Sequence, residues 1–358
     1  MISPESTRHG AGVAKAPTVA DIVGDSGWFL DRIVPQLDIA VLKPTTRQAI
    51  ARGIFLDHRW TQDGAPTAQI PLGALRDYAG RDRPAMIWHT AYCCSTLVAD
   101  LLDAPGACLA LREPGALLDL AAARRAGAPC ADDRLIRAVF SRLARSPDAA
   151  ERVVIKPSNG ANALIGVDMG GQALMLYSSC RDFVVSVVAG VPPHEGGEDR
   201  RRFARTLMLD RATSERPNVP WRPLDLSVMT DLQIAALLWH AQVMEFRAVA
   251  RQRGPGRVRS LDCADFLADP RRALTAIDAF MGLGLGADRV DAAVSGEKLA
   301  RHAKTPALAF SPTRRDQDLR AAAAAIGPAL DAVVAWSFRV CPATPPGDPV
   351  GAPLLATA

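Results

Sequence analysis

The chain has 358 residues, a formal net charge of +4, 49% hydrophobic residues and 22% charged residues. This is the composition of an ordinary globular protein, long enough for one sizeable core. The positive excess is too mild and too dispersed for nucleic acid, which calls for a dense basic stripe, and it suits a small anionic ligand. No run of about 18 apolar residues predicts a transmembrane segment, and Met1 to Thr18 carries no apolar stretch of a secretory signal.

The seven cysteines (Cys93, Cys94, Cys108, Cys130, Cys180, Cys263 and Cys341) are odd in number and show no C-x-x-C spacing. They read as reduced thiols of a cytoplasmic protein, with Cys93 and Cys94 as small loop fillers and no metal site. Lysine is scarce: Lys15, Lys43, Lys156, Lys298 and Lys304 stand against many arginines. A lysine beside a turn is therefore a candidate for function.

In chain order, residues 1–18 are polar and patternless and predict a disordered N-terminus. Residues 19–80 predict an N-terminal helical appendage, with pieces around Trp28-Phe29-Leu30 and Arg47 to Phe55. Residues 81–341 hold the main pattern, short apolar runs alternating with helical periodicity. Strands are predicted at Ala85–His89, Ala107–Leu111, Arg152–Ile155, Ala173–Tyr177 and Val258–Leu261. Helices are predicted at Thr96–Leu102, about 114–126, 132–144, Arg181–Val188, His194–Asp210, Asp231–Arg251, Arg271–Met281 and, as one Ala-rich helix, about Asp316 to Trp336. Residues 342–358 are rich in Pro and Gly and predict a disordered tail.

This alternation predicts an α/β fold of three layers, a central parallel sheet with helices on both faces. Ligands of such sheets bind at the carboxyl ends of the strands. Those ends carry Thr90-Ala91-Tyr92, Arg112-Glu113, Lys156-Pro157-Ser158 and Ser178-Ser179. Between the first strand and its helix, Ala91-Tyr92-Cys93-Cys94-Ser95-Thr96 forms a loop of small residues. A strand, a tight loop and a helix N-terminus make a cradle for an anion, because orphan N–H groups and the helix dipole point to one spot. No G-x-x-x-x-G-K-[ST] run suggests a nucleoside-triphosphate loop, and no G-x-G-x-x-G suggests a dinucleotide site.

Taken as an ordered set over about Ala85 to Arg315, these segments resemble the bacterial branch of the sulfotransferase superfamily. The loop 91–96 stands where that family binds the 5′-phosphosulfate. Tyr177-Ser178-Ser179-Cys180-Arg181-Asp182-Phe183-Val184-Val185-Ser186 is similar to its 3′-phosphate segment, and Val258–Leu261 with Asp265-Phe266-Leu267-Ala268-Asp269-Pro270 echoes a later family phrase. The resemblance implies a sulfotransferase-like fold of the P-loop kind and 3′-phosphoadenosine 5′-phosphosulfate as donor co-substrate, with no metal. It implies donor contacts from Tyr92, Cys93, Cys94, Ser95, Thr96, Arg112, Arg181 and Ser186, and from a basic loop at Arg301, His302 and Lys304.

The acceptor hydroxyl or amine needs a base, for which the resemblance implies Glu113, with His89 as second choice. The loop departs from the family at Tyr92, where Lys or Arg is usual, and at Cys94, where Gly is usual; Ser178 replaces an Arg. Lys156 is then expected to supply the cation for the transferring group, its ammonium pointing into residues 90–96. The acceptor is left open among small molecules, carbohydrates, lipids and peptides, held by residues 19–80 and 190–230, and the oligomeric state is not readable. The alternative reading is a nucleotide-binding or interaction protein of this fold without catalysis, favoured by Tyr92, Cys94 and Ser178.

Overall fold

The N-terminal part carries an antiparallel sheet of β1 (Trp28–Val34), β2 (Ile39–Pro44) and β3 (Ala68–Pro71), in that spatial order. The computed structural model describes residues 17–61, 66–78, 82–190, 197–213 and 224–355. The helical reading of residues 19–80 is thus corrected: among the described residues there, only Val19–Gly24, Arg47–Arg52 and Leu72–Arg76 are α-helical. The physical reason is a period of two along β2, where Ala40 and Leu42 are buried between half-buried neighbours. Asp38, left-handed at φ 52°, closes the turn between β1 and β2.

The main sheet is parallel and five-stranded. β4 (Ala85–His89), β5 (Cys108–Arg112), β6 (Arg152–Lys156), β7 (Ala173–Tyr177) and β8 (Val258–Asp262) lie in the order β5-β6-β4-β7-β8. Successive side chains leave opposite faces. Ala85, Ile87, Ala110, Val154, Leu174, Leu176 and Leu261 join one core, with the helices Ser95–Leu102 and Pro270–Met281. Met86, Trp88, Leu109, Leu111, Ile155 and Met175 join the other, with the helices Gly115–Arg125, Asp133–Leu143, Cys180–Val188 and Asp231–Arg253. Helices on both faces make three α/β layers, as the alternation predicts, and explain why the strands read as unbroken apolar runs.

Two further expectations need correction. The Ala-rich stretch is two helices, Pro312–Ile326 and Pro328–Val340, bent by 95° where Gly327 takes φ 75° ahead of a proline. No single helix among the described residues is long and apolar enough to cross a membrane. The described part of the tail is ordered: the Ser260 amide donates to Ala352 O at 2.6 Å and the Leu354 amide to Ser260 O at 2.7 Å, so the chain lies along β8. Val350 and Ala352 are buried there. Residues 1–16 and 356–358, and the loop with Pro217, Pro220 and Pro223, lie outside the described residues.

The N-terminal sheet shares one core with the helices of the main sheet, Phe29, Leu42 and Leu72 packing in the same cluster as Phe140 and Leu120. Its connection to the ligand edge includes a pair of backbone bonds. The Leu56 amide donates to Arg112 O at 2.7 Å, and the Gly115 amide donates to Leu56 O at 2.9 Å. A Cβ at Gly115 would lie 3.2 Å from Asp31 O and 3.3 Å from the Asp57 Cα, so the residue that opens the helix after β5 is small because another backbone lies against it.

The longest helix, Asp231–Arg253, starts on a Thr230/Gln233 capping box and crosses behind the site. Its His240 is fully buried between Thr344, whose hydroxyl bonds Nδ1, and Ser337, whose hydroxyl lies 3.0 Å from Nε2. Burial pushes the imidazole down to about 4. As pH falls from 6.5 toward 4, the unfolded chain binds a proton that the native core refuses, so native stability declines over that window by up to ~3 kcal/mol. Asp262, raised to about 6 mainly by burial, acts with the opposite sign over its own window. His240→Gln is expected to flatten the fall in stability between pH 6.5 and 4, read by urea denaturation across pH. An unchanged slope would show that His240 does not set it.

Candidate functional site

At the carboxyl edge of the sheet lies a cavity of about 440 Å³, between the loop after β4, the ends of β5 and β6, and the segment 302–319. Its floor is the loop Ala91–Cys94. Ala91, Tyr92 and Cys94 all take left-handed backbone angles, φ 76°, 54° and 58°, without a glycine among them. Each such residue costs on the order of 1–3 kcal/mol and persists only where its surroundings hold it. Here the Ala91 amide donates to His89 Nδ1 at 3.0 Å, Cys93 donates to Leu176 O at 3.4 Å, and Arg315 donates to Tyr92 O at 3.5 Å. The helix Ser95–Leu102 starts directly from this loop, with no side-chain cap. Its first amides, at the buried residues Ser95 and Thr96, lie at the cavity and have no acceptor within the helix.

The end of β4 is braced from behind. Asn159 and Asn162 each donate to His89 O, at 2.9 and 3.1 Å, and to the amide oxygen of Gln242, which in turn donates to Thr90 O at 3.3 Å. His89 itself is fully engaged. Because Nδ1 accepts from Ala91, Nε2 carries the proton and donates to Pro157 O at 3.0 Å. Burial and the nearby Lys156 hold its pKa well below the ordinary value. His89 therefore has no lone pair for an acceptor proton. The structure gives it the work of shaping the loop, which corrects the reading of His89 as a second base.

Glu113 and Lys156 end adjacent strands, and the structure brings them together. The Glu113 amide donates to Lys156 O at 2.7 Å, and Glu113 turns into the cavity at φ 56°. The Lys156 ammonium, only 1% exposed, donates to Glu113 Oε1. Burial pulls its pKa down, and Glu113 opposes that. Lys156 lines the cavity, but its bond goes to Glu113 rather than to Ser95 or Thr96. Glu113 Oε2 lies 3.8 Å from Arg59, whose side chain donates three hydrogen bonds to Asp57 and stacks on Phe55 with its guanidinium carbon 3.9 Å from the ring centroid. The N-terminal segment thus reaches the site.

Tyr92 replaces the expected loop cation, yet cations surround it. Arg200 lies over its ring at 4.7 Å and the Lys304 ammonium at 5.6 Å, with Phe183 on the ring at 5.9 Å. Lys304 and His302 line the cavity from a small hairpin, in which the His302 amide donates to Leu308 O and Phe310 to Ala300 O. Ser186 also reaches the cavity wall.

Three expected donor contacts lie elsewhere. Arg112 is 4% exposed and spans Asp100 Oδ1 at 2.7 Å, Ala51 O at 2.6 Å and Gly53 O at 2.8 Å, clamping the N-terminal segment to β5. Residue alternation sends Arg112 away from the face that Glu113 enters. Arg181 points out to Asp331 at 3.2 Å, its side chain 45% exposed. Arg301 lies 3.9 Å from Asp100 and is not a lining residue.

Sequence reasoning missed Arg314 and Arg315, which line the cavity from the first turn of Pro312–Ile326. A legible signal existed: two arginines directly after a Ser-Pro helix start, where the dipole opposes cations, need a compensating anion. Asn159, Phe203 and Phe310 also line the cavity without having been singled out.

No family model matches this chain, and no curated protein matches it by sequence. Among solved structures it is similar to the "Sulfotransferase Domain from the Curacin Biosynthetic Pathway", at 11% sequence identity and a TM-score of 0.36, over 64% of this chain and 83% of that one.

The geometry separates a clamp from a ligand contact at Arg112. Arg112→Met leaves Asp100 and two carbonyls without their donor and is expected to cost ~3–5 kcal/mol. In the protein that remains folded, affinity for inorganic sulfate should stay within twofold of wild type. A large loss of sulfate binding with stability intact would return Arg112 to the binding site.

Proposed function

We propose that this cavity binds 3′-phosphoadenosine 5′-phosphosulfate and that the protein transfers its sulfuryl group to a hydroxyl or amine of a small-molecule, carbohydrate or lipid acceptor. The observation that carries the reading is one cavity holding a strained loop at a helix N-terminus and, opposite it, a carboxylate and an ammonium at adjacent strand ends. The motif order along the chain supports the donor. The amides of Ser95 and Thr96 hold the phosphosulfate oxygens; Lys304 and Arg315 offset the remaining negative charge in place of the loop cation that Tyr92 displaces. Ser186 takes part in donor binding, with Arg314 and Arg315 in the role first expected of Arg181.

Sulfuryl transfer is an in-line displacement in which the protein positions groups and stabilises charge on peripheral oxygens. Glu113 accepts the acceptor proton as the new S–O bond forms and the bond to the phosphate breaks. Lys156, released toward the transferring group, offsets charge there and keeps Glu113 oriented beforehand. The products are a sulfated acceptor and adenosine 3′,5′-bisphosphate.

A second reading, nucleotide binding without turnover, is favoured by one observation: Glu113 and Lys156 are tied to each other. Two measurements separate the readings. Adenosine 3′,5′-bisphosphate is expected to bind in calorimetry, and Lys304→Ala and Arg315→Ala each to weaken it by about tenfold or more, the loss of a charge-assisted bond. Transfer of radiolabelled sulfate to pooled acceptors is expected to fall by at least ~10²-fold in Glu113→Gln with binding retained. Lys156→Met should lower turnover more than bisphosphate affinity. Absence of bisphosphate binding would overturn both readings; binding with no transfer by wild type would leave the binding protein.

A further inference from the structure

The helix Gly197–Thr213 brings an aromatic ring to the site. Its buried face includes Ala204, Leu207 and Met208. Arg200 donates to Ser186 O at 2.9 Å, and Arg205 donates to Met229 O at 3.1 Å and to Asp231 Oδ1 at 2.9 Å, so the helix is tied down on either side of Phe203. Phe203 itself lines the cavity and is 44% exposed. A Cβ placed on Gly160 would lie 3.9 Å from the Phe203 Cζ, so the ring tip stands over the turn that follows β6. That turn leads on from Lys156, whose ammonium holds Glu113. The ring therefore belongs to the β5–β6 side of the cavity, where the carboxylate is.

An exposed ring in this place calls for an explanation. Few large apolar side chains are exposed among the described residues, and two of them, Phe203 and Leu308, line this one cavity. Large apolar groups left open at a concave site mark a binding surface. The polar groups on the same side are mostly engaged. Of the polar side chains that β5, β6 and the following turn bring to the cavity, Asn159 is bonded to His89 O and to Gln242, and Lys156 to Glu113. Glu113 and Ser158 are what a ligand meets there. A sugar would turn several hydroxyls toward groups whose bonds are already made, and each unmet hydroxyl forfeits the bond that water had supplied. A hydrophobic body with a single hydroxyl forfeits no such bond, and covering Phe203 takes apolar surface out of water.

We propose that the β5–β6 side of the cavity is a subsite for a hydrophobic compound bearing one hydroxyl, with its body on Phe203 and its hydroxyl at Glu113. Resting on the transferase reading, this makes such a compound the acceptor. Its O–H proton passes to Glu113, its oxygen forms the new bond to sulfur, and the bond from sulfur to the donor's phosphate oxygen breaks, releasing adenosine 3′,5′-bisphosphate. Phe203 then selects the body of the acceptor, and Glu113 fixes the place of its hydroxyl. The ring comes from the helix Gly197–Thr213 and the anion cradle from the loop after β4, so exchanging the residue at 203 alters which body is taken and leaves the donor side as it was.

Equilibrium dialysis of 2-naphthol against the full chain, with and without saturating adenosine 3′,5′-bisphosphate, tests it. 2-Naphthol is expected to bind, and D-glucose in excess is expected not to displace it. Phe203→Ala should weaken naphthol binding by about tenfold or more and Phe203→Leu by less, both with bisphosphate affinity within about twofold of wild type. Leu209→Ala trims an exposed apolar residue of the same helix that does not line the cavity, and it should leave naphthol binding unchanged. No naphthol binding, displacement by glucose, or an equal loss in Phe203→Ala and Leu209→Ala would overturn the subsite. With radiolabelled donor and both probes present, the label is expected on naphthol; label on glucose instead would also overturn it. Naphthol bound through Phe203 but never labelled would remove the transfer reading and uphold the subsite. The dialysis without bisphosphate reads the subsite even where the nucleotide fails to bind, so the two readings fail separately.

Discussion

Everything at the ligand edge depends on how the chain leaves β4. A central parallel strand ends with its last carbonyls pointing out of the sheet, inside the protein, where unmet polar groups are costly. Here the carbonyls of His89 and Thr90 are met by side-chain amides, Asn159 and Asn162 on the first and Gln242 on the second. Gln242 comes from the long helix and the two asparagines from the turn after β6. The same histidine bridges the loop and Pro157 through both ring nitrogens. The braced strand end lets three non-glycine residues hold left-handed angles. A loop so determined keeps its amides aimed at the cavity without a ligand to order them, which is what preorganised binding requires.

The cavity's charge comes from parts of the chain far apart in sequence. Lys156 belongs to β6, Lys304 to a hairpin and Arg315 to a late helix, while Arg200, on the Tyr92 ring and not a lining residue, comes from the helix Gly197–Thr213. Tyr92 is the common surface for two of them, its ring facing Arg200 and Lys304. A π-face attracts cations when partly desolvated. The Tyr92 ring therefore gathers cations contributed by other elements.

The architecture was legible because its signal is local. Five apolar runs with helical spacing between them describe a buried parallel sheet, and their polar ends mark its ligand edge. What escaped were features decided by neighbours in space. Trp28–Val34, Ile39–Pro44 and Ala68–Pro71 pair as strands because β2 lies between β1 and β3, and their mixed burial leaves no unbroken apolar run to mark them. The tail after Cys341 reads as polar and proline-rich, yet it finds the open edge of β8, where unpaired amides favour a partner strand. Arg112 and Glu113 are neighbours in sequence but leave β5 on opposite sides, so the Arg became a clamp while the Glu entered the cavity. Arg181 follows a family pattern in sequence, but its helix carries it out to Asp331.

The Lys156–Glu113 pair shows why two candidate residues cannot be assigned one at a time. Each was read from its own strand end, one as cation and one as base, and the register of β5 on β6 sets Arg112 opposite Lys156, one residue before Glu113. Apart, a buried ammonium pays a heavy desolvation cost; together, the two compensate within a space that water hardly reaches. The compensation is conditional. Burial lowers the Lys156 pKa while Glu113 supports its charge, so an anion bound nearby takes over part of the role of Glu113 and favours the protonated ammonium further. On the proposed reading, the carboxylate then has an oxygen to offer an acceptor proton. Under the proposed function, anion binding at the loop and availability of the carboxylate are linked through one lysine. That linkage is possible only because the ends of β4, β5 and β6 lie side by side in the sheet.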